Sequence, residues 1–309
     1  MNFENVIIVT AKTRLELLIE RFNTREQAKF YIEHSGGNFE EYQEEHDTFK
    51  RSLDRVKKVS AHHARMKVID RGFLPNFIVS ERDVIVTVGQ DGLVANAAKY
   101  SKGQPLMGVN PDLKRNDGIL LPFSVEMFER RLADVLDNNF TSRQVTMAQA
   151  TTNDGQSLLA FNDLFIGPAS HTSARYNIRY DNKTEAQSSS GIIVSTGAGS
   201  TGWLSSVINM SNGVLTTFQS HSTKISVKMN WEDDRLMYVV REPFLSKHSQ
   251  ITLTAGTVSA QKPLTIESHM PFNGVIFSDG IESDFLKFNS GCEVTISLAS
   301  KKANLVQLL

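Results

Sequence analysis

The sequence predicts a two-part chain: an N-terminal α/β domain built on a parallel sheet, followed by an antiparallel all-β domain. Three observations carry this. Apolar runs at Val6–Thr10 and Asp83–Val88 read as strands buried on both faces, each followed by helix-compatible sequence. After about Asn138 the texture changes to short alternating segments separated by turn residues. The length, 309 residues, is ample for two cores. The expected division is residues 1–138, rejoined by about 290–309, and residues 139–289.

The elements follow in order. Behind the first strand, Leu15, Leu17, Leu18, Ile19 and Phe22 fall at helical spacing. Thr24 with Gln27, and Asn38 with Glu41, have capping-box spacing, and Gly36-Gly37 ends the helix between them. In the next helix Tyr42, Phe49, Leu53 and Val56 share a face; acids early and bases late suit its dipole. His62 and His63 are adjacent and lack metal-pair spacing. Pro105 to Asn110 reads as a further strand, and Ser124 caps a helix through Leu136. In the second domain, strands are expected at residues 144–147, Ala174–Tyr180, 224–229, Leu236–Val240, 250–254 and 274–277. Residues 294–297 and 305–309 are expected to return to the first domain.

Composition excludes several classes. Lys plus Arg number 33 against 34 Asp plus Glu, a net charge of −1, which gives no general attraction to nucleic acid or anionic lipid. A single cysteine, Cys292, excludes a disulfide framework and a cysteine zinc cluster. The opening residues read as a strand and a charged helix, not a leader, and no segment has the ~20 apolar residues of a membrane helix. A cytoplasmic protein is expected.

Three stretches could carry chemistry. The buried run 83–88 leads into Gly89-Gln90-Asp91-Gly92 and then a helix start. A glycine turn at a helix N-terminus offers N–H groups to an anion, with one carboxylate beside them to accept a proton; Gly92 reads as a strained backbone position. A plain turn with Asp91 as a cap fits the same residues. Asn162-Asp163 stands within an apolar run, as a ligand pair or as a turn between strands. Gly197, Gly199 and Gly202 satisfy G-x-G-x-x-G, but no acid occurs from Ala186 to Asn230 to hold a ribose, and the surroundings read as β. The loop is better read as hydroxyl-rich, with Ser195, Thr196, Ser200, Thr201, Ser205 and Ser206 able to contact a nucleotide and Trp203 packing beside them. No Walker loop, nucleophile elbow or H-E-x-x-H is present.

Taken in order, glycine-flanked Asp91, Asn162-Asp163 and the Gly197–Trp203 loop resemble the NAD kinase family, a relative of diacylglycerol-type lipid kinases and phosphofructokinases. Residues 105–112, 115–118 and 121–122, with Ser189-Ser190-Gly191, are similar to the divergent branch that includes the mitochondrial NAD kinases. The resemblance implies an active site in the crevice between the two domains. It implies transfer of the ATP γ-phosphoryl group to the 2′-hydroxyl of the adenosine ribose of NAD, with Mg²⁺ or another divalent cation, in a homodimer or homotetramer. Asp91 would orient the hydroxyl and take its proton; Gly89, Gln90 and Gly92 would hold ATP phosphates. Asn162, Asp163, Thr201, Gly202, Trp203 and Ser206 would bind NAD. No protein side chain is assigned to metal. Gln90 and Leu93 depart from the family's Gly and Thr, so Gln90 is expected to strain a position favouring φ > 0 and to crowd a phosphate. Ser190 replaces an Asp of the commoner branch. A silent NAD(P)-binding protein and a lipid or sugar kinase on the same scaffold are the alternatives.

Overall fold

A computed structural model describes residues 2–218 and 224–308. The chain divides into two compact units, Met1–Arg143 with Asn304–Leu309, and Gln144–Ala303. Elements are numbered in chain order.

The first unit is an α/β layer structure. Strands β1 (Asn5–Thr10), β2 (Arg65–Asp70), β3 (Asp83–Val88) and β4 (Pro105–Val109) run parallel in the order β2-β1-β3-β4. The sheet is completed by Ala303–Val306, parallel to β4, and by β5 (Ser142–Val145) at the edge. All six residues of β3 are buried, as a central strand covered on both faces requires. Helices α1 (Arg14–Phe22), α2 (Arg25–His34) and α3 (Phe39–His63) lie between β1 and β2; α4 (Asp91–Tyr100) follows β3 and α5 (Val125–Leu136) follows β4. Phe49, Leu53 and Val56 of α3 meet Phe128, Leu132 and Val135 of α5 in one core with the sheet. Two caps differ from expectation. A full capping box forms one helix earlier, between Thr13 and Glu16, whereas Asn38 accepts from Glu40 N–H at 2.9 Å rather than from Glu41.

The second unit packs two antiparallel sheets. Strands β6 to β10 are Ala148–Thr152, Ser157–Ala160, Asp163–Pro168, Ala174–Tyr180 and Lys183–Ser189. Then come β11 (Ile192–Ser195), α6 (Trp203–Phe218), β12 (Leu236–Val240), β13 (Ala255–Val258), β14 (Leu264–Ser268), β15 (Gly274–Ser278), β16 (Ile281–Lys287) and β17 (Glu293–Leu298). The orders are β10-β9-β14-β17-β6-β7 and β13-β12-β11-β8-β15-β16. Their inner faces share a core that includes Ile166, Ile178, Ile192, Tyr238, Ile266 and Ile296.

Four expectations fail here. The segment 203–218, expected in β surroundings, is the helix α6. Residues 224–229 form no strand; Ile225 bonds instead through its N–H and carbonyl to the Asn212 side chain. Residues 250–254 form no strand either, although Thr254 O accepts from Val240 N–H. Residues 294–297 stay in the second unit, because β17 pairs with β14 on one side and β6 on the other.

Candidate functional site

In the N-terminal unit one cavity lies at the carboxyl ends of parallel strands, where open α/β sheets place ligands. Residues 11–13 after β1, Asp70 and Arg71 after β2, the turn after β3, and Pro111, Asp112, Arg115 and Asn116 after β4 line this cavity of about 790 Å³. Gly89, Gln90, Gly92 and Leu93 belong to that wall. The cations are mostly partnered. Lys12 meets Glu20 at 2.7 Å, Arg115 meets Asp112 at 2.7 Å and Glu44 at 2.8 Å, and Arg14 pairs with Glu45. The sequence reading missed Lys12, Arg14 and Arg71, and gave Arg115 only a place in a family-like stretch. The available signal was that polar residues directly follow buried parallel strands.

Asp91 opens α4 but does not line this cavity. Its Oδ1 accepts from Leu120 N–H at 2.8 Å, tying the loop after β4 to the helix start. The second oxygen has no partner among the described residues. Gly108 lets that loop approach, since a Cβ there would lie 3.1 Å from the Leu120 carbonyl carbon and from Leu121 Cα. Two backbone expectations are corrected. Gln90 is the α4 N-cap with φ −107° and ψ 165°, an extended conformation open to any residue. Gly92 is not strained: it lies within α4, has no positive φ, and a Cβ there would touch nothing within 4 Å.

In the C-terminal unit the second and third motifs interlock. Asn162 and Asp163 occupy the turn from β7 into β8. Buried Thr196, leaving β11, donates its N–H to Asn162 O at 2.9 Å and its hydroxyl to Phe161 O at 2.6 Å. That hydroxyl also accepts from Gly199 N–H at 3.2 Å. Gly199 has no room for a side chain: its Cβ would stand 2.6 Å from the Asn162 carbonyl carbon. Gly197 is equally confined by Asn230. The Asp163 carboxyl is pushed up to about 7, first by burial and then by the charge of Asp279.

Trp203, the first residue of α6, stacks on Phe165 with centroids 5.7 Å apart and planes 11° from parallel. The Arg241 guanidinium lies over the Trp203 ring at 5.5 Å. Phe165 leans over Gly167 and Gly191, where any Cβ would meet its ring. Trp203, Phe165, Arg241, Phe277 and Ser190 help line a cavity of about 900 Å³. Of the six residues expected to bind NAD, only Trp203 lines it; Thr201, Gly202 and Ser206 are exposed at the head of α6, and Asn162 and Asp163 are half-buried. Phe165 and Arg241 were not singled out in the sequence. Among the described residues no cluster of His, Cys, Asp or Glu is placed to hold a metal, and no helix is long and apolar enough to cross a membrane.

No protein-family model matches the chain. It is 29% identical over 125 residues to an NAD kinase of Chlorobaculum tepidum, covering 39% of this chain and 43% of that protein. It is 29% identical over 158 residues to an NAD kinase of Cellvibrio japonicus, covering 48% and 50%. To an NAD kinase of Saccharolobus islandicus it is 25% identical over 157 residues, covering 51% and 57%. The chain thus spans about half the length of the curated relatives it matches. The fold resembles that of yeast NADH kinase complexed with NADH, with TM-score 0.62, 14% identity, and coverage of 100% of this chain and 84% of that one. It also resembles an NAD kinase from Archaeoglobus fulgidus in complex with ATP, with TM-score 0.54, 16% identity and coverage of 98% and 93%. Both the sequence matches and the fold therefore liken this chain to NAD kinases.

Proposed function

We propose that the chain is an ATP-dependent NAD 2′-phosphotransferase. The observation that carries the reading is the interlock of the Asn162-Asp163 turn with the Gly197–Gly202 loop. Two motifs 34 residues apart, which the resemblance assigns to one nucleotide, are joined through Thr196 and Gly199. Relatives named for this activity, and solved neighbours holding NADH and ATP, support it.

Phosphoryl transfer needs alignment and charge neutralisation more than covalent help. The N-terminal unit supplies the α4 N-terminus and the cationic cavity for the ATP phosphates. A divalent cation such as Mg²⁺ would be held chiefly by those phosphates and would neutralise their charge. On the C-terminal unit, Asn162 and Asp163 hydrogen-bond the NAD nucleoside while Thr201, Gly202, Trp203 and Ser206 flank it. The ribose 2′-oxygen attacks the γ-phosphorus, the bond to the β-phosphate oxygen breaks, and ADP leaves. The hydroxyl proton passes to the free oxygen of Asp91, whose other oxygen is held by Leu120.

That engagement with Leu120, and the absence of Asp91 from the cavity wall, favour a second reading: a silent NAD-binding protein. Incubation with NAD and MgATP, with NADP measured by a coupled dehydrogenase, separates the two. NADP formation that falls about 10²–10⁴-fold in Asp91→Asn supports the kinase, because an Asn Oδ1 still accepts from Leu120 and should leave the fold intact. NAD binding without NADP supports the silent protein. Neither binding nor turnover would refute both.

A further inference from the structure

The turn between β15 and β16 is Asp279-Gly280, with φ of +54° and +70°, the left-handed pair that a two-residue hairpin demands. Turn chemistry alone would accept Asn or Gly at the first position. The carboxylate does something the turn does not require. Its Oδ2 accepts from Phe161 N–H at 3.0 Å, and its Oδ1 from Asn162 N–H at 2.6 Å and Asp163 N–H at 3.2 Å. Asp279 N–H in turn donates to Asp163 O at 3.0 Å. Three successive amides thus converge on one anion from a neighbouring hairpin, about 117 residues away in sequence.

We propose that Asp279 is a positioning residue for the dinucleotide, fixing the backbone from which the Asn162 amide and the Asp163 carboxyl project. The proposal rests on the NAD kinase reading and adds a residue outside the three motifs. Thr196 holds the carbonyls of the same turn, so Asp279 and Thr196 clamp it through opposite groups. With both peptide edges held, the two side chains present a fixed pair of polar groups rather than a mobile turn.

The test uses the full chain with Asp279→Gly, which keeps the left-handed turn and removes the carboxylate, and Asp279→Asn, which retains one acceptor oxygen. KM for NAD should rise at least 10-fold in Asp279→Gly, with kcat and KM for MgATP within threefold of wild type, and Asp279→Asn should fall between. Hydrogen exchange at the 161–163 amides should quicken in the same order. An unchanged KM for NAD overturns the proposal, as does a common loss of kcat and both KM values that tracks thermal stability. If Asp279→Gly does not fold, Asp279→Asn with wild-type KM for NAD is the overturning result. Failure of the kinase reading shows in the wild type, as no NADP formation, and the dissociation constant for NAD then replaces KM in the same comparison; failure of positioning alone shows only in the variants.

Discussion

Replacing Gly199 by Ala tests the interlock between the glycine loop and the Asn162-Asp163 turn. The new Cβ would lie 2.6 Å from the Asn162 carbonyl carbon and 2.9 Å from its Cα, against 3.4 Å or more for ordinary contact. These are backbone atoms, and the Asn162 carbonyl oxygen is nearer still, so relief requires the loop and the turn to separate by at least about 0.8 Å. A shift of that size stretches the Thr196 N–H bond to Asn162 O from 2.9 Å to beyond hydrogen-bonding range. It also strains the 3.2 Å bond from Gly199 N–H to the Thr196 hydroxyl. Two bonds at about 1 kcal/mol each, with some residual overpacking strain, give a loss of about 2–4 kcal/mol. For a unit of this size that lowers Tm by roughly 4–16 °C. Calorimetric unfolding with and without NAD measures both the shift and the lost binding. A variant with wild-type Tm and NAD affinity within twofold would show that Gly199 and Asn162 are not held in register and would refute the interlock.

The remaining predictions concern a titration and a departure from the family pattern. The native Asp163 carboxyl keeps its proton to about pH 7, while the unfolded chain releases it near 3.8. Between those values the native state binds more protons, so this group's stabilising contribution is complete below about pH 4 and is lost as pH rises through 7. Asp163→Asn, neutral throughout, should flatten that slope and raise stability at pH 8 by on the order of 1–2 kcal/mol while weakening NAD binding; urea denaturation at pH 5 and pH 8 that gives the wild-type slope would refute this. Gln90→Gly should change kcat by less than about threefold, because the N-cap backbone is already extended and its side chain makes no capping bond. A gain above tenfold in NADP formation would mean that the Gln90 side chain obstructs the phosphate donor.

What the sequence made legible of the fold follows from burial. Val84, Ile85, Val86 and Val88 announce a central strand because no solvated face breaks the run. The α3 face shows through Phe49, Leu53 and Val56 because those positions reach one core. Helix α6 was missed although Leu204, Val207, Ile208, Leu215 and Phe218 stand at helical spacing. Only Leu204 of this helix is buried, Met210, Val214 and Phe218 are exposed, and Val207, Ile208, Val214, Thr216 and Thr217 are β-branched residues that suit strands as well. Ser211, Thr216 and Thr217 return hydrogen bonds to carbonyls four residues back, a local tie that does not depend on apolar burial. At residues 224–229 the alternation is real in the sequence, but a strand exists only where a neighbour supplies its ladder, and this segment spends its bonds on Asn212.

The glycine loop shows where reading by pattern stops. Gly197, Gly199 and Gly202 have the spacing of a dinucleotide fingerprint, in which each glycine serves a βα turn. Here none of the three has a positive φ. Gly197 is required because Asn230 lies against it, and Gly199 because Asn162 does, so both report the approach of distant backbone that no local spacing encodes. At Gly202 a Cβ would meet only Gly199 O, at 3.4 Å, an ordinary contact, so nothing nearby demands a glycine there. Two glycines fixed by partners outside the motif and a third with room to spare make the spacing incidental. The chemical content of the loop therefore lies in its seating on the Asn162-Asp163 turn, and the partners at 162 and 230 identify its role better than the interval between its glycines.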